Sequence, residues 1–358
     1  MNEAATKRQA SGFGLADGAA RAYRVVPLGM RQSAVALVLG LAVCLLIIFA
    51  VAESPWDAFV AFATGAFDSA YSIGTTVAIA TVLGVTALGS ALGFRAGVFN
   101  MGPEGQLLVG GLAAALASID APGPGWLVAV LALVASATAG ALWIVVPALL
   151  RVTLRCNELL TTLMMNYVAA AFTLFLVNSY FRNPEAGSIE TLPIAPDRWL
   201  WRWLAPSNAN VGILILIVLA AAIWFWLGHT KSGMRMEAMG LQPAFAQYLG
   251  VRSDVYLIGA MLGSGALSGL AGGIAILGIS HVFQDGFSPQ YGFLGLTVAL
   301  IGRLHPFGVI AASLLYAALI TGATAMQTMA DVPFALVYIL QGVLILLVTS
   351  QRIARAQR

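Results

Sequence analysis

RAGVFNMGPEGQLLVGG, residues 95–111, sets Asn100, Glu104 and Gln106 between two long apolar stretches. Inside a bilayer such polar groups are costly and mark working sites. Gly102, Pro103 and Gly105 break a helix here, and Pro103 lacks an amide donor and disfavours a helical residue before it. Non-helical backbone at membrane depth is tolerated only where protein or a water-filled cavity satisfies it. Residues 99–106 are therefore expected to line a pathway. The helix restarting near Glu104 aims free N–H groups and a partial positive charge into that cavity. Asn100 and Gln106 both donate and accept hydrogen bonds, Phe99 offers a stacking face, and Glu104 is placed to cap the new helix. A plainer role stays open for Asn100 and Glu104, which is to tie down the break.

The surroundings fix the setting. Sixty per cent of the 358 residues are hydrophobic and nine per cent are charged, against roughly 25% charged in a soluble domain. With a mean hydropathy of +0.89, the chain reads as an all-α polytopic membrane protein. A span needs only about 20 residues, so the whole chain fits one helical domain with no room for a separate soluble catalytic one. The formal net charge of +3 is read as an orientation signal and not as a nucleic-acid footprint. Cys44 and Cys156 lie far apart without metal-ligand spacing and read as unpaired packing residues. No metal site is expected.

Ten apolar segments follow from this reading, at about 34–52, 71–93, 104–119, 125–150, 158–180, 210–228, 255–279, 292–302, 307–325 and 334–349. The third and eighth are short for a full crossing and read as broken or half-helices near the midplane. The first follows a tail, 1–33, and lacks a cleavage pattern, so it is expected to be retained as a span. Residues 56–67 are too short to span and read either as an interfacial amphipathic helix or as a loop. With the amino terminus inside, 15 of the 18 Lys and Arg residues fall on the inner side, which predicts cytoplasmic termini, including the tail 351–358. The largest external segment, 182–210, has four prolines and three tryptophans and is expected to form an ordered cap.

Five spans plus five require opposite orientations of the two halves, which invites an inverted repeat. A weak echo supports it: VFNMGPEGQLLVG at 98–110 and VFQDGFSPQYGFLG at 282–295. A second polar constellation, RCNELLTTLMMNY at 155–167, opens the fifth segment. Asn157, Thr161 and the pair Asn166 and Tyr167 recur at helical spacing and form a polar stripe. Asn166 and Tyr167 lie deepest and are expected on the path, with an interhelical hydrogen bond as the alternative. A third feature, HTKSGMRMEAMGLQPAFAQYLGVRSD at 229–254, is the longest internal loop. It reads as a short surface helix suited either to a groove on a soluble partner or to the membrane surface. The small-residue run GSGALSGLAGG at 263–273 is explained by close helix packing.

In these places the chain resembles the membrane-spanning permease subunits of bacterial ABC importers, in the branch of nucleoside and simple-sugar permeases. The matching segments are GFRAGVFNMGPEGQLLVGG, CNELLTTLMMNYVA, SGMRMEAMGLQPAFAQYLGV, GSGALSGLAGG and GFLGLTVALIGRLHPFGV, in unbroken order over about residues 50–345. Met101, Pro103 and Cys156 depart from the branch's usual residues. The resemblance implies a permease domain over 34–350, a second permease subunit completing the pathway, a separate ATPase, and an external binding protein or lipoprotein delivering solute across the bacterial inner membrane. It implies that Met234, Arg235, Glu237, Ala238, Gly240, Tyr248 and Gly250 belong to the coupling region touched by the ATPase. The chain has no GxxxxGK[ST] loop, so ATP is expected on the partner and no cofactor on this chain.

For the solute, the aromatic faces of Phe99 and Tyr167 and the amides of Asn100, Gln106 and Asn166 suit a neutral base and ribose. A simple sugar is the near alternative. From another class, an ion-coupled secondary transporter would use Glu104 as a proton carrier. A membrane-embedded enzyme finds no convergent set, since His229, His281 and His305 fall near loops on opposite sides.

Overall fold

The computed structural model describes residues 54–330 apart from Leu249, together with Leu46, Phe49 and Gly342. The chain divides into two units, residues 60–330 and residues 1–59 with 331–358. Of the latter, residues 54–59 carry the start of helix α1 (Pro55–Thr64), where Trp56 packs on Phe59 at 5.8 Å. Of the two readings open for residues 56–67, helix or loop, the structure has a helix of ten residues. The expected spans at 34–52 and 334–349 lie outside the described residues, as do the two tails.

Within 60–330 the elements are α2 (Ala70–Arg95), α3 (Pro103–Asp120), α4 (Gly125–Trp143), α5 (Val145–Thr153), α6 (Glu158–Leu176), α7 (Gly212–His229), α8 (Lys231–Leu241), α9 (Pro243–Tyr248), α10 (Ser253–Ala275), α11 (Tyr291–Ile301) and α12 (Pro306–Ala330). Among the described residues there are no strands beyond two isolated bridges, Glu190 with Gln284 and Arg202 with Asn210. Among the described residues six helices are long and apolar enough to cross a membrane: Ala70–Arg95, Gly125–Thr153, Glu158–Phe181, Gly212–His229, Ser253–Ser280 and Pro306–Ala330. Pro103–Ile119 and Tyr291–Ile301 are apolar and shorter, as their sequences predict.

The core is organised by α2 and α10. From Thr81 to Gly93, α2 is buried all round, and α10 packs against α2, α3 and α4. Side chains leave little room at these crossings, so glycine sets the spacing. A Cβ on Gly269 would fall 2.3 Å from the Ser136 carbonyl of α4, and one on Gly110 of α3 would fall 2.4 Å from the Gly269 carbonyl. The small-residue run at 263–273 therefore lets three backbones converge, as close packing requires.

The cap expected at 182–210 is tied to the rest of the fold by backbone hydrogen bonds. Thr191 N–H donates to the Phe283 carbonyl at 2.9 Å, Ile194 N–H to His281 at 2.9 Å and Leu200 N–H to Leu277 at 3.1 Å. These bonds lash residues 191–200 to the segment that follows α10. His281 adopts φ 58°, turning the chain sharply after the π-helical turn Ile276–Ser280.

Candidate functional site: the broken helices

Each broken entry begins where the echoing sequences begin. Residues 98–102 are non-helical and lead into α3; residues 282–290 lead into α11. The first turns of the two short helices touch, for a Cβ on Gly292 would fall 2.2 Å from the Glu104 nitrogen. Glu104 belongs to α3 but its Oε2 accepts from Gly292 N–H of α11 at 2.7 Å. Its carboxylate thus caps the neighbouring short helix instead of its own. Ser288 Oγ accepts from Tyr291 N–H at 3.1 Å and supplies a second cap to α11. A carboxylate between two helix starts is electrostatically favoured, because each start carries partial positive charge.

Behind Glu104 a cage of side chains satisfies the break. Asn100 is 1% exposed. Its Oδ1 accepts from Gly102 N–H at 2.8 Å and from Gln106 Nε2 at 3.2 Å, while its Nδ2 donates to Gln106 Oε1 at 3.2 Å and to Ser264 Oγ at 3.0 Å. Asn100 and Gln106 therefore form a reciprocal amide pair, anchored to α10. Asn166 reaches back from α6: Oδ1 accepts from Gly105 N–H at 2.9 Å and Nδ2 donates to the Met101 carbonyl at 2.8 Å. Thr162, one helical turn earlier, accepts from Met101 N–H at 3.0 Å. The buried backbone of the break thus finds side-chain partners, as buried polar groups must.

Phe99, Asn157 and Tyr167 are exposed, unlike the cage. Phe99 is 52% exposed and tilts against Phe94 at 5.2 Å; Tyr167 is 68% exposed. Thr161 is half-buried and bonds within α6 to the Asn157 and Glu158 carbonyls. Asn157 is the amino-terminal cap of α6, its side chain accepting from Leu159 N–H at 2.9 Å. Glu158 pairs with Arg151 at 3.2 Å. Glu104 also lines a cavity of about 140 Å³ with Asp285, Gln284, Ser288 and Thr173.

The family model described as "Branched-chain amino acid transport system / permease component" matches residues 72–349, which span both broken helices and the loop between α7 and α10. The chain belongs to this family. The permease is similar to the guanosine ABC transporter permease protein NupP of Bacillus subtilis (strain 168), at 32% identity over 88% of this chain and 92% of the relative. It is 29% identical to the nucleoside ABC transporter permease protein NupB of Lactococcus lactis subsp. cremoris (strain MG1363), over 82% of this chain and 83% of the relative. It is also 29% identical to the glucose ABC transporter permease protein TsgB13 of Haloferax volcanii, over 83% and 81%. The permease is thus a multi-pass membrane protein of a transport family.

In the permease, the loop after α7 folds as α8 and α9. Thr230 caps α8, accepting from Gly233 N–H at 3.1 Å. One face is buried through Met236 and Met239, and Glu237 forms an ion pair with Arg95 at the end of α2. Arg95 also donates through Nε to the Leu304 carbonyl at 2.7 Å. A Cβ on Gly240 would collide with the Arg95 carbonyl and lie 2.9 Å from Gly97 N, so Gly240 permits close contact with the segment just before the break. Ala238 is half-buried. The opposite face presents Met234 and Arg235, while Phe245 and Tyr248 of α9 are 56% and 89% exposed. Gly250, with φ 78°, ends α9 in the left-handed conformation that suits glycine. Among the described residues no group of His, Cys, Asp and Glu is arranged for a metal.

Sequence reasoning missed Thr162, Ser264, Ser288 and Gly292. Thr162 lies four residues before Asn166, and its spacing was a usable signal. Ser264 lies 164 positions from Asn100, and nothing local announces that pairing.

Proposed function

We propose that this permease forms the solute path of an ATP-driven importer for a nucleoside-type solute, delivered from outside by a binding protein or lipoprotein. The observation that carries the reading is the similarity to a guanosine permease over 88% of this chain, together with a buried cage of neutral amides at Asn100, Gln106 and Asn166 whose sequence neighbours Phe99 and Tyr167 are exposed. The site offers stacking faces and no cluster of basic side chains that would demand a phosphate. Asn100, Gln106, Asn166 and Glu104 shape the path from behind; Phe99, Tyr167, Thr161 and Asn157 face it.

The proposed architecture is ten spans in two inverted halves over residues 34–350, with cytoplasmic tails at 1–33 and 351–358 in the bacterial inner membrane. Contact between α3 and α11 at Glu104 and Gly292 supports the inverted halves, since each starts at an echoing segment. A second permease subunit closes the path, as a homodimer or heterodimer. A separate ATPase seats on Met234, Arg235 and Tyr248, and uses the ATP; this chain binds no cofactor. Its movement passes through Glu237 to Arg95 and through Gly240 to Gly97, five or fewer residues from the break.

The test is competition. In vesicles carrying the full importer, uptake of labelled guanosine is displaced by excess unlabelled nucleosides and not by ribose or glucose. Displacement by glucose with nucleosides inert would favour the sugar reading, which the similarity to a glucose permease supports.

A further inference from the structure

A groove of about 910 Å³ opens between the amino-terminal ends of α4 and α7, under the cap. Trp126, Val130 and Leu133 form one wall, Val211 and Ile215 the other, and Arg202 stands at the cap side. Its size lies within the roughly 300–1,000 Å³ range of small-molecule sites. The two walls belong to helices long and apolar enough to cross a membrane. Trp126 and Trp201 at its edge are 70% and 72% exposed, as suits the membrane–water boundary, where tryptophan collects.

The charges at this groove select an occupant. Arg202 sits with its guanidinium carbon 4.7 Å from the Trp199 ring and forms no ion pair among the described residues. The nearby carboxylate, Asp197, lies against the first turn of α4, where a Cβ on Gly125 would fall 2.8 Å from its Oδ2. Partial positive charge at that helix start suits Asp197 and leaves Arg202 to attract an anion. A cation above an apolar cleft between two spans matches a phosphate head on acyl chains.

We propose that this groove binds a phospholipid, with its phosphate on Arg202 and its acyl chains between α4 and α7. The lipid stiffens the joint between the cap and the two helices.

The test is native mass spectrometry of the full-length permease incubated with phosphatidylglycerol or with diacylglycerol of the same chains. The wild type retains phosphatidylglycerol in preference to diacylglycerol. Arg202→Gln weakens phosphatidylglycerol retention about tenfold, the loss of one charge-assisted hydrogen bond, and leaves diacylglycerol unchanged. Val130→Trp, at a position 50% exposed and tolerant of bulk, displaces both. Equal retention of the two lipids by the wild type overturns the proposal. So does unchanged phosphatidylglycerol retention in either variant, including the case where Arg202→Gln instead weakens capture of the binding protein.

Discussion

Replacing Asn166 by alanine separates a clamp on the break from a contact with solute. The side chain makes two bonds to backbone, from Gly105 N–H at 2.9 Å and to the Met101 carbonyl at 2.8 Å, and is 7% exposed. Truncation leaves the buried Gly105 N–H and the part-buried Met101 carbonyl without these partners. Each orphan costs about 1–3 kcal/mol, so the variant loses about 2–6 kcal/mol, a large share of the 5–15 kcal/mol typical of a folded domain. Thr162→Val removes the acceptor for Met101 N–H and with it the hydroxyl's own bond to the Glu158 carbonyl at 2.6 Å, and should cost about 1–3 kcal/mol, chiefly from the unpaired Met101 N–H. Because both side chains hold Met101, the two losses should not add in the double variant. Tyr167→Ala, next along the helix but 68% exposed, stays within about 0.5 kcal/mol of the wild type. Unfolding of the purified permease in mixed micelles, followed by circular dichroism, measures all four. Asn166→Ala as stable as the wild type would refute the clamp; lost uptake with stability intact would make Asn166 a solute contact.

Other predictions follow from the same geometry. Arg95→Gln or Glu237→Gln breaks the ion pair between α2 and α8, and uptake should fall several-fold while unfolding stays close to the wild type; unchanged uptake would remove this pair from the coupling path. Gly269→Leu cannot fit against the Ser136 carbonyl, so the permease should lose at least about 1–3 kcal/mol and accumulate poorly, before any defect in solute recognition is measurable. Burial, and then the charge of Arg202, hold His281 down to about 4 from 6.5. Its ring, stacked 3.7 Å from Trp199, stays neutral while an unfolded histidine takes up a proton below about 6.5. Stability of the cap is therefore present above that pH and is lost as the pH falls toward 4. Melting temperature against pH should show the decline, and His281→Phe should flatten it; parallel curves would contradict the assignment.

Much of this was legible because apolar runs of span length and Gly/Pro breaks are local signals. The segment at 71–93 became Ala70–Arg95, and those at 104–119 and 292–302 became the short helices Pro103–Asp120 and Tyr291–Ile301. Helical spacing puts Asn157 and Thr161, four residues apart, on one face, whereas Asn166 comes about two and a half turns after Asn157 and faces the other way. Asn166 turned inward to residues 61 and 65 positions away, while Asn157 stayed at the exposed helix start. Glu104 was readable as a helix cap, but its partner lies 188 positions on, where only the fold brings Gly292 beside it. The cap at 182–210 announced its order through prolines and tryptophans, and not its bonds to residues 277–285.

The most direct test of the proposed ATP-driven permease is uptake in proteoliposomes containing this chain with the proposed ATPase, second permease and binding protein. With labelled guanosine outside the binding-protein face, uptake should require ATP and vanish when the ATPase's catalytic residues are disabled. Uptake driven by a proton gradient with the ATPase absent would contradict the account and turn attention to Glu104 as a proton carrier.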